Sequence, residues 1–216
     1  MKYLDLNEWP RKEHFHFFRQ LDYPYFNVCA NMDISRLLPY IKERNHSFYT
    51  TFIYLTSRVA NNVPEFRYRI QGENVVEYDV VHPSFTVMSG TGPFKYCTVA
   101  YESEIHEFYR LAELGIKKTE NSNLLGDSND RDDLLYMTCI PWVSFTNIMH
   151  PIHLHPADSI PRIAWGKYFT DHGTVKIPLS IQAHHAVMDG YHVGRYFEEL
   201  QELVDHPERY FEPNFK

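Results

Sequence analysis

Two adjacent histidines, His184 and His185, are followed by Ala186-Val187-Met188 and then by Asp189-Gly190. Imidazole is the side chain whose ordinary pKa suits proton transfer near neutral pH, so a histidine held in a fixed place is a candidate general base. Residues 175–183 are apolar and β-prone, and a helical pattern follows Gly190, so the pair stands where a strand gives way to a loop. A rigid element ending there can aim a ring into a cleft. The same spacing has a plainer meaning, in which the histidines finish a strand and Asp189 caps a helix. A short motif does not choose between the two.

Other chemistry-bearing residues are scattered. His150, His153 and His155 read His-x-x-His-x-His, a conceivable metal site, but Pro151 and Pro156 make the run irregular and no Cys or acidic ligand stands at a fixed offset. Cys29, Cys97 and Cys139 are widely spaced and form no Cys-x-x-Cys pair, so neither a disulfide framework nor a zinc site is indicated. The formal net charge is -7 with no basic block, which argues against a nucleic-acid binder. No apolar stretch approaches the ~20 residues that span a bilayer, and the first residues carry no secretory h-region, so a reducing cytoplasm is expected. Aromatics make up 16% of the chain, enough to line both a core and an apolar pocket with rings.

The elements that must position these groups follow from periodicity. Ile34, Leu37, Leu38 and Ile41 share a helical face, with Asp33 as a possible N-cap, and Phe52, Leu55 and Val59 share another within a helix over 49–62. Short strands are expected over 66–70, 75–78, 85–88 and 96–101, with Gln71-Gly72-Glu73-Asn74 as a hairpin turn. A helix fits 104–117 and an exposed polar loop fits 118–133. Strands then follow over 134–140, 143–148, 162–169 and 175–183, with Asp171-His172-Gly173 turning between the last two. The final helix starts near Gly190, with Val193, Tyr196, Phe197, Leu200, Leu203 and Val204 on one face. No repeat or linker interrupts residues 1–216, which gives one domain. Helices and strands without strict alternation give an α+β sandwich rather than a doubly wound fold.

Several longer runs surround the histidine pair. In order they are Trp9-Pro10-Arg11-Lys12-Glu13-His14-Phe15, Pro64-Glu65-Phe66-Arg67, His82-Pro83-Ser84-Phe85-Thr86-Val87, Pro141-Trp142-Val143-Ser144-Phe145 and Gly166-Lys167-Tyr168. The last continues from Ile181 through His185 and Asp189 to Arg195. Together they resemble the chloramphenicol acetyltransferase family over nearly the whole chain in one register. The His-x-x-x-Asp-Gly run is also similar to motifs of dihydrolipoyl acyltransferase cores and peptide-synthetase condensation domains. The resemblance implies a two-layer sandwich, a mixed β-sheet covered by helices, assembled as a homotrimer with active sites between subunits. It implies acetyl transfer from acetyl-coenzyme A, as co-substrate and without a metal, to a hydroxyl of a small acceptor, chloramphenicol or a related hydroxylated compound.

By the same resemblance, His185 is the general base and Asp189 pairs with Arg11 to brace the loop that carries it. Thr138 stands where the family has the serine that donates to the oxyanion; read alone, it is also an ordinary strand threonine. Trp142 lines the pantetheine channel, Tyr168 stacks near the adenine and Lys167 sits near phosphate. Phe17, Phe18, Thr86 and Phe94 fall on the acceptor pocket. That side departs from the family: Thr91-Gly92-Pro93-Phe94-Lys95 replaces Thr-Glu-Thr-Phe-Ser, Ala164 replaces a threonine, and Met149-His150-Pro151-Ile152 replaces an Asp-Leu-Asn stretch. These departures raise a second expectation, a non-catalytic trimer of the same fold that binds a small molecule.

Overall fold

The computed structural model describes residues 1–88, 90, 92–126 and 131–211. In chain order it runs β1 (Lys2–Tyr3), α1 (Lys12–Phe18), β2 (Tyr25–Asp33), α2 (Leu37–Glu43), α3 (Phe48–Asn62), a 3-10 turn (Pro64–Arg67), β3 (Tyr68–Gln71), β4 (Asn74–Glu77), β5 (His82–Met88) and β6 (Phe94–Thr98). It continues with α4 (Ile105–Glu120), β7 (Leu134–Ile140), β8 (Arg162–Gly166), β9 (Phe169–Asp171), β10 (Thr174–His184), α5 (Gly190–Asp205) and α6 (Glu208–Phe211). Side chains start the longer helices. Ser47 accepts the Thr50 N–H at 3.3 Å ahead of α3, and Glu104 accepts those of His106 and Glu107 at 3.0 and 2.7 Å ahead of α4. Each cap satisfies donors that the first turn leaves open, worth ~1 kcal/mol.

Among the described residues the main sheet has the order β2-β10-β8-β7-β5-β6, with β9 added against the start of β10. β7 is parallel to β5 and β8, whereas β2 and β8 are antiparallel to β10, and β6 to β5. Alternation gives this mixed sheet two different faces. One carries Phe85, Leu135, Met137, Ile163, Trp165, Leu179 and Ile181, in one buried cluster with Phe52, Leu55 and Val59 of α3 and Val193, Tyr196 and Leu200 of α5. The other carries Ser84, Tyr136, Thr138, Arg162, Ser180 and Gln182. Helices on one side of a mixed sheet make the α+β sandwich that the sequence implies.

The strand expected over 143–148 does not form. β7 is paired on both edges, and the segment that follows it crosses the polar face of the sheet. Side chains satisfy its backbone: Asn27 Nδ2 donates to the Ile148 carbonyl (2.9 Å), and Gln182 accepts the His150 N–H (2.7 Å) while donating to the His150 carbonyl (3.3 Å). The Val143 carbonyl accepts the Lys167 N–H at 2.9 Å, and a Cβ on Gly166 would stand 2.7 Å from that oxygen, so glycine is needed for the approach.

Other boundaries shift for local reasons. The run expected over 162–169 breaks at Gly166, and Phe169–Asp171 pairs separately with β10. The strand expected from Phe66 begins at Tyr68, because Pro64 opens a 3-10 turn. The one expected over 96–101 is β6, two residues earlier at its start. Asp33 ends β2 rather than capping a helix; its carboxylate accepts the Ser35 N–H at 2.8 Å. α4 runs on to Glu120, into the expected loop, of which residues 127–130 lie outside the described residues. Among the described residues no helix is long and apolar enough to cross a membrane.

The end of β10 is deeply buried. His184 is 1% exposed, its Nδ1 accepts the Ala186 N–H at 3.2 Å, and its ring meets Tyr25 edge-on at 4.8 Å. Burial pushes its pKa from 6.5 down to about 4, with His185 and Arg19 adding to the fall and Asp158 opposing it. Between those two values the unfolded chain holds a proton that the folded chain does not. The stability this supplies is therefore whole above the unfolded value of 6.5 and is lost as the pH drops toward 4. Equilibrium unfolding in urea at pH 7.5 and pH 4.5 is expected to show a smaller loss for His184→Gln than for wild type, by on the order of 2–3 kcal/mol. Equal losses would remove His184 as the cause.

Candidate active site

His185 is the first residue beyond β10. Its N–H donates to the Pro24 carbonyl at 2.7 Å, and its own carbonyl accepts from Arg11 Nη2 at 3.3 Å. The ring lies flat on Phe18, with centroids 3.9 Å apart and planes 3° apart, and is tilted against Phe26 at 4.7 Å. Among the described residues neither ring nitrogen has a hydrogen-bond partner; Nδ1 is buried, whereas Nε2 is not enclosed. Two aromatic rings, rather than a hydrogen bond, hold the imidazole and leave Nε2 uncovered. The short helix α1 and the residue ahead of it supply two of these restraints, Phe18 as its last residue and Arg11 just before its first. Phe17, its neighbour, is 62% exposed and packs edge-on against Phe18.

Arg11 Nη1 pairs with Asp189 Oδ2, and Asp189 Oδ1 accepts the Tyr191 N–H at 3.0 Å, capping α5. His192 completes the cap. Its Nδ1 accepts the Asp189 N–H at 3.1 Å, and its Nε2 stands 3.3 Å from Glu65 Oε1. Burial works against a charged Asp189, but the hydrogen bond and charge of Arg11, with His192 and the Tyr191 N–H, outweigh it and hold the carboxyl below its ordinary 3.8. A carboxylate held ionised in this way has no proton to give near neutral pH. It fixes the start of α5 and, through Arg11, the carbonyl of His185.

The remaining candidates lie elsewhere. Thr138 is on the polar face of β7, lining a cavity of about 290 Å³ with Ser84, Tyr136, His150 and Arg162. Ala164, beside it on β8, is fully buried. Thr86, on β5, follows the pair Phe85↔Met137 and so stands near Thr138; its carbonyl accepts the Tyr49 hydroxyl. Phe94 faces Met88 across the β5–β6 hairpin and is 43% exposed; Thr91, within that turn, lies outside the described residues. Trp142 follows β7, and Lys167 and Tyr168 follow β8. Because these strands are parallel, the three exposed side chains stand at one edge of the sheet. His150 reaches the cavity, whereas His153 and His155 are exposed, and the described residues hold no group of three or more His, Cys, Asp or Glu placed for a metal.

Register measures the gap between the two groups. Thr138 is opposite Ala164, which is opposite Ser180, and His185 lies further along β10. With ~3.3 Å per residue and ~4.8 Å per strand, Thr138 and His185 of one chain are on the order of 19 Å apart. β10 also runs antiparallel to β8, so His185 emerges at the edge opposite Trp142, Lys167 and Tyr168. One chain therefore unites Arg11, Phe17, Phe18, His185 and Asp189, and separately Thr86, Phe94, Thr138, Trp142, Lys167 and Tyr168. Sequence reasoning missed Phe26, Glu65 and His192 as supports. His192 sits where a capping box has Glu or Gln, a signal that the histidine disguises. Phe26 depends on the β2–β10 register, which leaves no local trace.

A family model described as chloramphenicol acetyltransferase matches residues 1–201. A chloramphenicol acetyltransferase of Clostridium butyricum is 35% identical over 205 residues, covering 93% of this chain and 93% of that protein. One from Escherichia coli is 32% identical over 205 residues, covering 94% and 93%. A solved chloramphenicol acetyltransferase superposes with a TM-score of 0.88 at 25% identity, over 94% of this chain and 99% of the other. The dihydrolipoamide acetyltransferase of Azotobacter vinelandii, at 16% identity and a TM-score of 0.67 over 92% and 88%, shares the fold. With this likeness extending over nearly the full length of both chains, the protein belongs to the chloramphenicol acetyltransferase family, a family of enzymes.

Proposed function

We propose that the protein is an O-acetyltransferase that moves the acetyl group of acetyl-coenzyme A to a hydroxyl of a small acceptor, chloramphenicol or a related hydroxylated compound. The observation that carries this reading is the clamped ring of His185, with Phe18 on one face, its carbonyl tied to Arg11, and Nε2 open. Nε2 takes the acceptor's proton as the acceptor oxygen attacks the thioester carbonyl. The Thr138 hydroxyl donates to the resulting oxyanion. Collapse forms the ester and breaks the C–S bond, and the thiolate leaves with the proton held by His185. No acyl-enzyme is needed, because both substrates meet directly. Trp142 would line the pantetheine arm, Lys167 would meet phosphate and Tyr168 the adenine, a reading supported by their exposure along one edge.

The distance between His185 and Thr138 in one chain supports a site shared between subunits. In a closed homotrimer each subunit offers His185 to one neighbour and Thr138 to the other, a head-to-tail contact that closes on itself.

Three outcomes are expected. In a thiol-release assay with acetyl-coenzyme A and a panel of alcohols that includes chloramphenicol, His185→Ala should lose ~10²–10⁴-fold in kcat/KM. Equal rates would sink the base assignment, and acceptor binding without thiol release in wild type would favour a non-catalytic binder. Asp189→Leu alone should lower activity and cost about 1–3 kcal/mol, because it strands the Arg11 charge and removes the cap of α5; adding Arg11→Met should regain the part due to the stranded charge but not activity. Thirdly, subunits carrying His185→Ala and subunits carrying Thr138→Ala, refolded together in equal amounts, should recover about one quarter of wild-type sites, since a shared site needs one intact residue from each neighbour. No recovery would place both groups in one subunit's site.

A further inference from the structure

The cavity beside Thr138 holds polar atoms that the fold itself leaves unused. Nε2 of His150 is buried and has no partner among the described residues. Thr138 and Tyr136, two residues apart on the same face of β7, line the same cavity, and neither side-chain hydroxyl has a hydrogen bond to a described residue. His150 is not loosely placed. Gln182 brackets its backbone from below, accepting the N–H and donating to the carbonyl. A buried polar atom held this rigidly without a partner is costly to a fold unless something else completes it.

Among the described residues, both arginines that line the cavity already have carboxylate partners. Arg162, 7% exposed, pairs with Asp158 and donates to the Ile160 carbonyl at 2.7 Å. Arg131, at the rim, makes a two-pronged pair with Asp133 at 2.7 and 2.8 Å. Burial first, then the nearby Arg162, push the His150 pKa below its ordinary 6.5, so its ring is neutral at physiological pH. Neither guanidinium is unpaired and ready for an anion, and among the described residues that line the cavity no unpaired carboxylate waits for a cation.

Position decides which substrate meets this wall. Trp142 and Lys167 lie beyond the C-terminal ends of β7 and β8, whereas Tyr136 and Arg162 lie toward their starts, with Thr138 between. If the thioester reaches Thr138 from the Trp142 side, the attacking molecule must come from the His150 side. This step rests on the acetyltransferase reading given above.

We propose that His150 and Tyr136 are specificity-determining residues that hydrogen-bond the acceptor, selecting neutral molecules that carry hydroxyl or amide groups besides the hydroxyl that reacts. Apolar alcohols leave both groups unpaired, and carboxylates find no cation available.

The test compares three acceptors in the thiol-release assay: chloramphenicol as a neutral amide-diol, 3-phenyl-1-propanol as an apolar alcohol, and 4-(hydroxymethyl)benzoate as an anion. Wild type should favour the first by ~100-fold or more in kcat/KM. His150→Leu should lower chloramphenicol turnover about 10–100-fold, mainly through KM, with no loss on 3-phenyl-1-propanol and an unchanged KM for acetyl-coenzyme A. His150→Gln, which keeps a donor and an acceptor, should recover part of the loss, and Tyr136→Phe should repeat it in weaker form. A loss shared equally by all acceptors, no loss at all, or preference for the anion would overturn the proposal. Calorimetric binding of chloramphenicol to wild type and His150→Leu separates the two readings. If nothing is acetylated but binding still weakens tenfold, the acetyltransferase reading fails and the neutral-ligand site stands; unchanged binding rejects the site.

Discussion

Arg11 and Asp189 lie 178 positions apart and meet in an ion pair on which the placement of His185 depends. From Asp189 the pair fixes the first turn of α5, and from Arg11 it reaches the carbonyl of His185. It also anchors α1, whose last residue lies flat on the imidazole. The two side chains are mostly out of water, 13% and 26% exposed, so neither charge is well served by solvent if the other is lost. Two segments far apart in sequence, α1 and the run from His185 into α5, are thereby held as one body around one ring. His192 and Glu65 extend the arrangement into the core, joining the start of α5 to the turn after α3.

The main sheet divides its labour by face. The helix-covered side is apolar and tightly filled, with Trp165 fully buried against Phe52, and it gives the structure its rigidity. The opposite side is built from Ser, Thr, Tyr, Asn and Gln at alternating positions, roofed by a segment without regular structure. That roof is tied down by Asn27, Ser180 and Gln182 rather than by a ladder. A loop secured by side chains can be exchanged residue by residue without disturbing strand register. This is the part of the chain where, by the resemblance, Met149-His150-Pro151-Ile152 replaces an Asp-Leu-Asn stretch.

Much of this was legible in advance, and unevenly. The apolar run through residues 175–183 and the helical stripe from Val193 to Val204 announced a strand and a helix, and hence a histidine at a junction. The Arg11–Asp189 pair came from resemblance, since no spacing rule links residues so far apart. Residues 143–148 misled because Val143, Phe145 and Ile148 favour strands, while distant side chains, Asn27 and Gln182, bond the backbone at Ile148 and His150 without a ladder. The gap between His185 and Thr138 was invisible for a similar reason. It arises from β10 running against β8 while β7 runs with it, and direction is not written in composition.

The long pairing of β2 with β10 carries a cost in time. Asn27 and Ser180, bonded across that ladder, are 153 positions apart, so a ribosome must deliver nearly the whole chain before β2 gains its partner. Until then a nine-residue strand with an open edge waits inside a growing polypeptide, a stage at which aggregation competes with folding. The cradle for His185 is made from the same late arrivals, Pro24 and Phe26 on one side and the end of β10 on the other. During synthesis the end of the molecule that carries His185 is therefore finished last, after the helical layer on α3 and α4 has had time to gather.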